Sequence, residues 1–204
     1  MATNTNGAIK IAAIQGSVRA GNFTKKALLL CIDELRKHED VSVELIDPTD
    51  LQLPFPGIDG SDSAAQSLQE TVSAAVGVLF ATPEYHGSFS SVTKLVIENL
   101  GFPSVLSGKP VALLGVAAGQ IGAVKSLEHL RSVCSHVGAI VLPGPVSVAN
   151  VQRVFDAEGR CLHEGTEKRI RGLATNLIAY IRANLCPRLA LEEMVRGGSG
   201  EGGS

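Results

Sequence analysis

The pattern that most restricts the fold of this 204-residue chain is a short apolar run followed by a loop and a helical pattern, repeated along the sequence. Ala75–Thr82 and Val111–Ala117 are almost uninterrupted apolar runs, which is typical of central parallel strands covered on both faces. Ile9–Ile14 is a shorter run of the same kind. Because neighbouring parallel strands need a long crossover, the helical segments between these runs predict an α/β protein with a parallel sheet.

Two further strands complete the predicted sheet. Apolar and polar residues alternate in Val41–Ile46, so we expect this strand to expose one face and to lie at a sheet edge. Val137–Leu142 is the last short apolar run. Segments with helical spacing are 25–38, 61–74, 90–100, a stretch around 127–134, and 164–185. Right-handed crossovers then predict a doubly wound parallel sheet of about five strands, in the order 2-1-3-4-5, with helices on both faces.

Length and charge narrow the choice of function. We expect one domain over 8–187, a polar disordered segment over 1–7 and a Gly- and Ser-rich flexible tail over 188–204. A net charge of −2 provides no electrostatic reason to bind nucleic acid or an acidic membrane surface. No apolar run is long enough to span a bilayer, so no membrane partner is expected either.

The cysteines indicate a reducing compartment. Cys31, Cys134, Cys161 and Cys186 are widely separated and form no C-x-x-C pair, which argues against a metal site and favours buried thiols. The polar N-terminus does not have the pattern of a secretory signal. We therefore expect a cytoplasmic protein without a metal site.

The loop after the first apolar run carries several groups that bind phosphate. A strand that turns into a helix leaves unpaired backbone N–H groups at the helix start, and these attract anions. Ser17 and Thr24 add hydroxyls, Asn22 an amide and Arg19 a guanidinium. Neither a P-loop ending in Gly-Lys-Ser/Thr nor a G-x-G-x-x-G pattern is present. From these residues alone, a phosphate site and an ordinary turn capped by Asn22 or Thr24 remain open alternatives.

The expected strand order favours the phosphate site. In the order 2-1-3-4-5 the winding direction changes between the first and third strands, and ligands bind above the carboxyl ends of the strands at that point. The loops after the first, third and fourth strands meet at this edge, and each contains glycine. Agreement between loop chemistry and topology makes a plain turn the weaker interpretation.

Three segments taken together resemble the NADPH-dependent FMN reductase family. They are Gly16–Arg19, Pro83–Ser88 with Lys94 six residues further on, and Ala118–Gly122. The resemblance extends over roughly residues 9–181 and implies a flavodoxin-like fold with bound FMN. It also implies hydride transfer from NADPH or NADH, through FMN, to a quinone, free flavin or similar acceptor. A homodimer or homotetramer is implied as well.

The resemblance assigns cofactor contacts residue by residue. For the FMN phosphate it implies Ser17, Arg19, Asn22, Phe23 and Thr24. Along the ribityl chain and the ring it implies Pro83, Glu84, Tyr85 and His86, and at the pyrimidine end of the ring Ala118, Gly119 and Gln120. No residue is expected to act as a catalytic acid, base or nucleophile, because the cofactor carries the chemistry.

Several of these residues have simpler interpretations. Tyr85 could serve packing alone, and Glu84 could be a loop carboxylate whose side chain has no role. His86 stands where the family often has Asn, so it either faces the acceptor or is an ordinary loop residue. Lys94, His129 and His136 are expected to be solvated or structural. The sequence departs from the usual family residues at Val92, Leu95 and Glu98, on a helix where subunit contacts rather than FMN binding are in question.

Two other functions compete with a reductase. A flavodoxin-type electron carrier usually encloses its ring between aromatic residues and is strongly acidic, whereas this chain has no Trp, two Tyr and a net charge of −2. A doubly wound domain without a cofactor would leave the three loops unexplained.

The segment 47–60 bears on assembly. It is long and rich in Pro and Gly, and long loops in compact domains are usually functional or disordered. Its apolar residues are Leu51, Leu53, Phe55 and Ile58. Exposing all of them together would be costly, so we expect them to lie in a subunit interface.

Overall fold

A computed structural model of the chain describes residues 9–58, 63–188 and 191–192. The expectations for segment 1–7, for most of the tail 188–204 and for a helix cap at Ser61 or Asp62 lie outside these residues. Seven strands are described: β1 Ile9–Gln15, β2 Val41–Ile46, β3 Gly77–Tyr85, β4 Ser88–Phe89, β5 Pro110–Val116, β6 Ile140–Val141 and β7 Val146–Val148.

The main sheet has the order β2-β1-β3-β5-β6, and every pair along it is parallel. This is the predicted 2-1-3-4-5 order, because β5 and β6 are the fourth and fifth strands of the main sheet. The flavodoxin-like fold class is therefore confirmed. β2 lies at the edge with alternating exposure, as its sequence predicts.

The last strand is where the prediction was wrong. A continuous strand over Val137–Leu142 was expected, but β6 and β7 each pair separately with β5. Pro143 and Pro145 stand between the two short strands, and proline has no N–H to donate to a ladder. The other unexpected strand is β4, which runs antiparallel to the end of β3.

The helices lie near their predicted positions, with shifted ends. They are α1 Phe23–Leu35, α2 Ser63–Ala74, α3 Ser91–Glu98, α4 Val124–His136, α5 Val151–Val154 and α6 Glu164–Tyr180. A 3₁₀ turn covers Pro48–Asp50, and a π-helical segment, Ile181–Leu185, continues α6. The short helix α5 was not predicted. No helix among the described residues is long and apolar enough to cross a membrane.

Alternate residues of the sheet feed two separate cores, as a sheet covered on both faces requires. Ile11 and Ala13 of β1 pack in one cluster with α1 and α6. Ala12 and Ile14 pack in the other cluster with α2, α3 and α4. The helices thereby leave the carboxyl ends of β1, β3 and β5 as the edge where loops can shape a site.

The loop that precedes α2 differs from expectation. Leu51 and Leu53 are half-buried and pack on the second core, so they do not join an exposed apolar surface. Phe55 and Ile58 remain 66% and 64% exposed. Periodicity gives no information on this point, because a loop without regular structure has no face that the sequence could mark.

Candidate functional site

The three loops identified from sequence lie side by side. β1, β3 and β5 are neighbours in the sheet, so the loop 16–22, the β3–β4 hairpin and the loop 117–123 emerge at the same edge. Gly16 N donates to the carbonyl of Ala81 at 2.7 Å, which joins the first loop directly to β3. All the residues assigned by resemblance therefore sit in one region, while their contacts with FMN stay a prediction.

Ser17 is the clearest polar group in the first loop. It is 2% exposed, and its Oγ has no hydrogen-bond partner within the described part of the chain. An unpaired buried hydroxyl is unfavourable unless a ligand or water completes it. Arg19, two residues further on, is exposed and free to approach an anion.

The start of α1 combines a cap with an open anion position. Asn22 is the N-cap, because its Oδ1 accepts from Lys25 N at 2.7 Å. Its Nδ2 donates to the Arg19 carbonyl at 2.8 Å, so this side chain shapes the loop. Thr24 is buried, Phe23 is half-buried, and the first turn contains no acidic residue to repel an anion.

Arg19 and Tyr85 connect the first loop to the second. The guanidinium carbon of Arg19 lies 4.6 Å from the centre of the Tyr85 ring, a cation–π contact. Tyr85 is half-buried and also pairs with Ser88 in the hairpin. Its aromatic face thus holds the Arg19 side chain beside the loop that carries Ser17.

The hairpin between β3 and β4 turns at His86 and Gly87. Both have positive φ, 50° and 73°, as a tight two-residue turn of the primed kind requires. Asn and Gly adopt this conformation most easily, which gives a physical reason for Asn at the position of His86 in relatives. The His86 side chain is exposed, so the acceptor-facing and loop interpretations both stay open.

We expect His86→Asn to separate these interpretations. The variant should fold at least as stably as the native protein, because Asn suits the left-handed turn. If the imidazole faces the acceptor, kcat/KM should change for some acceptors while FMN stays bound. Steady-state rates over a varied acceptor panel, with thermal unfolding as the control, measure both effects. Unchanged rates with every acceptor would make His86 a turn residue only.

Glu84 has a role that sequence reasoning did not find. Its Oε2 accepts from Ser126 N at 3.0 Å, in the first turn of α4. Helix α4 has no side-chain cap of its own, so the carboxylate of Glu84 takes that place from another loop. The contact ties the hairpin to the third loop, and the interpretation of Glu84 as a side chain without a role is wrong.

The third loop presents main chain to solvent. Ala118, Gly119 and Gln120 are exposed, and a Cβ placed on Gly119 would meet no atom within 4 Å. The loop is held from behind, since the Gly119 carbonyl accepts from Asn150 N at 3.1 Å. A ligand can therefore approach its backbone from the open side.

A set of buried hydroxyls behind the first two loops was also missed. Thr82, Ser90 and Thr93 are 0%, 3% and 0% exposed, and Ser90 Oγ donates to the carbonyl of Gly16 at 2.5 Å. The available signal was the presence of hydroxyls in otherwise apolar positions at the end of β3 and the start of α3.

Asp47 is a second buried polar residue near this edge. Its carboxylate accepts from Gln15 Nε2 at 3.1 Å and from Thr49 N at 3.0 Å, and it pairs with Lys25 Nζ at 2.8 Å. Burial acts to raise the pKa of Asp47, but the hydrogen bonds from Lys25 and Thr49 outweigh it and hold the pKa below its usual value. The ion pair thus links the end of β2 to the first turn of α1.

We expect Asp47 to contribute to acid sensitivity. Because its folded pKa is lowered, its stabilisation is complete above the unfolded value of about 4 and is lost as the pH falls towards the folded pKa. Asp47→Asn should flatten the fall in unfolding free energy below about pH 4, as measured by urea unfolding across a pH series. Asp50→Asn, a nearby exposed carboxylate, corrects for the change in charge alone. An identical acid slope in Asp47→Asn and the native protein would contradict the assignment.

The remaining ionisable candidates have structural roles. Lys94 forms an ion pair with Glu98 on α3, and His129 Nδ1 lies 3.1 Å from Ser88 Oγ. Cys31 and Cys134 are buried, and burial raises the pKa of each thiol to about 12. In the described ranges, no group of three or more His, Cys, Asp or Glu side chains could hold a metal ion.

Two of the four thiols do not match the expectation of burial. Cys161 and Cys186 are only half-buried, and all four thiols are unpaired. A separate open cleft of about 320 Å³ lies beside β7 and the start of α6, lined among others by Asn150, Arg153 and Arg169. None of the residues assigned by resemblance lines it.

Comparison with known proteins places the chain among flavin-dependent reductases. Residues 9–153 match the family model described as NADPH-dependent FMN reductase. An NAD(P)H-dependent FMN reductase of Pseudomonas aeruginosa is 32% identical over 85% of this chain and 96% of its own length. A 2-hydroxy-1,4-benzoquinone reductase of Burkholderia sp. is 29% identical over 86% and 97% of the two chains.

A solved structure supports the same fold. The flavoenzyme NAD(P)H:(acceptor) oxidoreductase FerB of Paracoccus denitrificans superposes with a TM-score of 0.72. The alignment covers 86% of this chain and 98% of that protein, at 22% sequence identity. At this identity the similarity concerns the fold and not the details of the site.

Proposed function

This chain belongs to the NADPH-dependent FMN reductase family, and from that premise we propose that FMN binds at the carboxyl ends of β1, β3 and β5, with NAD(P)H as the hydride donor. When bound, FMN supplies two-electron chemistry between NAD(P)H and a small acceptor. The protein is accordingly an oxidoreductase whose residues bind and orient the reactants. The observation that carries the location of the site is the unpartnered buried hydroxyl of Ser17.

The first loop provides a phosphate site of suitable chemistry. A phosphate dianion needs several convergent donors, and Ser17 Oγ is buried with no partner in the described chain. Arg19 supplies a compensating positive charge, and the N-terminus of α1 supplies backbone N–H groups. Thr24 and Phe23 contribute through the first turn of that helix. Asn22 acts by holding the loop, because its side chain is already bonded within it.

The other two loops suit a flat ring. Pro83, Glu84 and Tyr85 end β3 beside the phosphate loop, and Glu84 fixes the hairpin to α4. The exposed main chain of Ala118, Gly119 and Gln120 offers N–H donors to the polar end of a ring. The surface between the loops is open to solvent, which leaves room for a nicotinamide and then an acceptor.

A small quinone is the acceptor class that we favour. The Burkholderia relative, which matches 86% of this chain, is by name a benzoquinone reductase. Val18 and Ile121 are exposed apolar residues on the first and third loops, and apolar groups suit a planar aromatic acceptor.

Flavin content and turnover test the proposal together. The purified full chain should carry FMN or take it up, and it should oxidise NADPH or NADH continuously when a quinone is present. Stoichiometric reduction without turnover across a panel of quinones and flavins would instead favour the flavodoxin-type electron carrier. Failure to bind any flavin would reject both functions.

We also propose that the protein is a homo-oligomer. Phe55, Ile58 and Phe102 are 66%, 64% and 104% exposed, an unusual set of large apolar side chains for a free surface. Phe55 and Phe102 belong to segments that are joined, since Asn99 Nδ2 donates to the Pro54 carbonyl at 3.1 Å. A twofold contact that covers them would be the default arrangement, as a dimer or within a tetramer.

Charge placed on this surface should weaken assembly. We expect Phe55→Asp combined with Phe102→Asp to shift the protein towards monomer in sedimentation equilibrium at micromolar concentration, because each carboxylate would be buried without a partner. Leu53 is unsuitable for this test because it packs on the core. Leu162→Asp, at a residue 64% exposed in another part of the chain, is the matched control. A native protein that is already monomeric and fully active would reject the interface.

A cytoplasmic location remains part of the proposal. Its support is the set of four unpaired thiols, two of them buried, which suits a reducing compartment. Fractionation of the source cells tests it directly.

A further inference from the structure

The carboxyl ends of β1 and β3 are joined by buried hydroxyls that the reaction itself does not use. We name Thr82, Ser90 and Thr93 the hydroxyl cluster. Ser90 and Thr93 lie at the start of α3, and Thr82 lies in β3. Ser90 Oγ lies 3.0 Å from Thr93 Oγ1, which in turn donates to Thr82 Oγ1 at 3.1 Å.

Each hydroxyl has one proton, and the contacts determine where it goes. Thr82 Oγ1 donates to the Pro83 carbonyl at 3.0 Å and accepts from Ser90 N at 3.2 Å. Ser90 Oγ accepts from Thr93 N at 3.1 Å, which leaves its own proton for the Gly16 carbonyl at 2.5 Å. The cluster is thus internally satisfied and ends on the backbone of the phosphate loop.

The bond to Gly16 sets the orientation of the next residue. A peptide unit is planar and trans, so the carbonyl of Gly16 and the N–H of Ser17 point in opposite directions. When Ser90 holds the carbonyl on the buried side, the Ser17 N–H is held on the other side. Gly16 could otherwise rotate easily, because glycine allows many backbone conformations.

We propose that Ser90 and Thr93 are positioning residues for the FMN phosphate, acting through the Gly16–Ser17 peptide. The inference rests on the proposed function, because it assumes that Ser17 meets the phosphate. Ser90 orients the peptide, and Thr93 holds the Ser90 hydroxyl in place. Ser17, with its buried and unpartnered Oγ, is then presented in one conformation to the ligand.

The position of the cluster makes its effect specific to phosphate. Ser90 contacts the first loop through the carbonyl of Gly16, while the exposed segment 118–120 belongs to a different loop. Loss of the Ser90 bond should therefore weaken phosphate binding and leave ring contacts in place. Thr82 is not suitable as a probe, because it also bonds to Pro83 on the ring side.

The test compares FMN with riboflavin, which lacks the phosphate, on the full chain freed of flavin. We expect Ser90→Ala and Thr93→Val to raise the Kd for FMN about five- to tenfold, as loss of one well-placed hydrogen bond would. The Kd for riboflavin should change by less than about twofold. Thr93→Ser keeps the hydroxyl and should bind FMN like the native protein. Cys134→Ala, a buried truncation on the same side of the sheet, controls for general loss of stability.

The outcomes separate this inference from the function on which it rests. Equal weakening of FMN and riboflavin, or no change in either, would overturn the positioning role. If the native protein itself binds the two flavins equally, the phosphate site fails and the inference fails with it. Should Ser90→Ala not fold, the pair Thr93→Val and Thr93→Ser decides the question alone, because the two differ in hydroxyl and methyl at one site.

Discussion

Replacing Gly16 with alanine is expected to disrupt the carboxyl edge of the sheet more than any other single methyl group we consider. A Cβ at this position would lie 2.1 Å from Thr93 Oγ1 and 2.7 Å from the carbonyl oxygen of Ala81. The second contact is with backbone that already accepts from Gly16 N, so no side-chain rotation can relieve it. Overpacking of this kind should lower the free energy of unfolding by about 3 kcal/mol.

Thermal unfolding and flavin titration measure the effect. For a domain of this size, the loss corresponds to a fall in Tm of about 6–12 °C. FMN affinity should fall at least about tenfold, because the first loop must move away from β3. Gly119→Ala is the matched control, since a Cβ at that position would have no atom within 4 Å and the unfolding free energy should change by less than about 0.5 kcal/mol. A Gly16→Ala protein with native Tm and FMN affinity would show that the loop adjusts freely.

Arg19→Ala should produce the largest loss of FMN affinity without loss of folding. A hydrogen bond to a charged group is worth about 1.5–3 kcal/mol, which corresponds to an increase in Kd of about 10- to 150-fold. The side chain is exposed, so its removal leaves no cavity in the core. Arg19→Lys should recover only part of the affinity, because an ammonium group cannot form the paired contacts of a guanidinium.

Riboflavin separates a phosphate contact from other effects of Arg19. Its Kd should be nearly unchanged in Arg19→Ala, and native protein should bind it more weakly than FMN. Arg36→Ala removes the same charge at the other end of α1 and should leave FMN affinity unchanged. Tyr85→Leu should give a smaller loss than Arg19→Ala, because it removes only the ring that holds the guanidinium. An unchanged FMN Kd in a folded Arg19→Ala protein would remove Arg19 from the site.

Much of the sheet could be predicted because strand environment is recorded locally. Ala75–Thr82 and Val111–Ala117 are apolar throughout since both faces of β3 and β5 are covered. Val41–Ile46 alternates because β2 is an edge strand. The division of the last strand into β6 and β7 was not predicted, because the pairing of three residues, Val146–Val148, with β5 leaves almost no local pattern.

The site was predictable to the level of loops. Gly16, Gly87 and Gly119 mark where chain direction changes, and the strand order brings those changes to one edge. The roles of individual side chains were harder to predict. Nothing near Glu84 in sequence indicates that it caps α4, and nothing near Asn99 indicates that it joins the loop at Pro54.

The sequence by itself determined the order of strands and helices, the loops that carry the site and, through the resemblance, the family. Only the tertiary structure decided that Leu53 packs inward, that Ser17 is left without a partner and that Ser90 holds Gly16. The physical reason is sequence separation. Periodicity reports which face of an element is buried, whereas Ser90 and Gly16 are 74 residues apart and meet only because β1 and β3 are neighbours in the folded sheet.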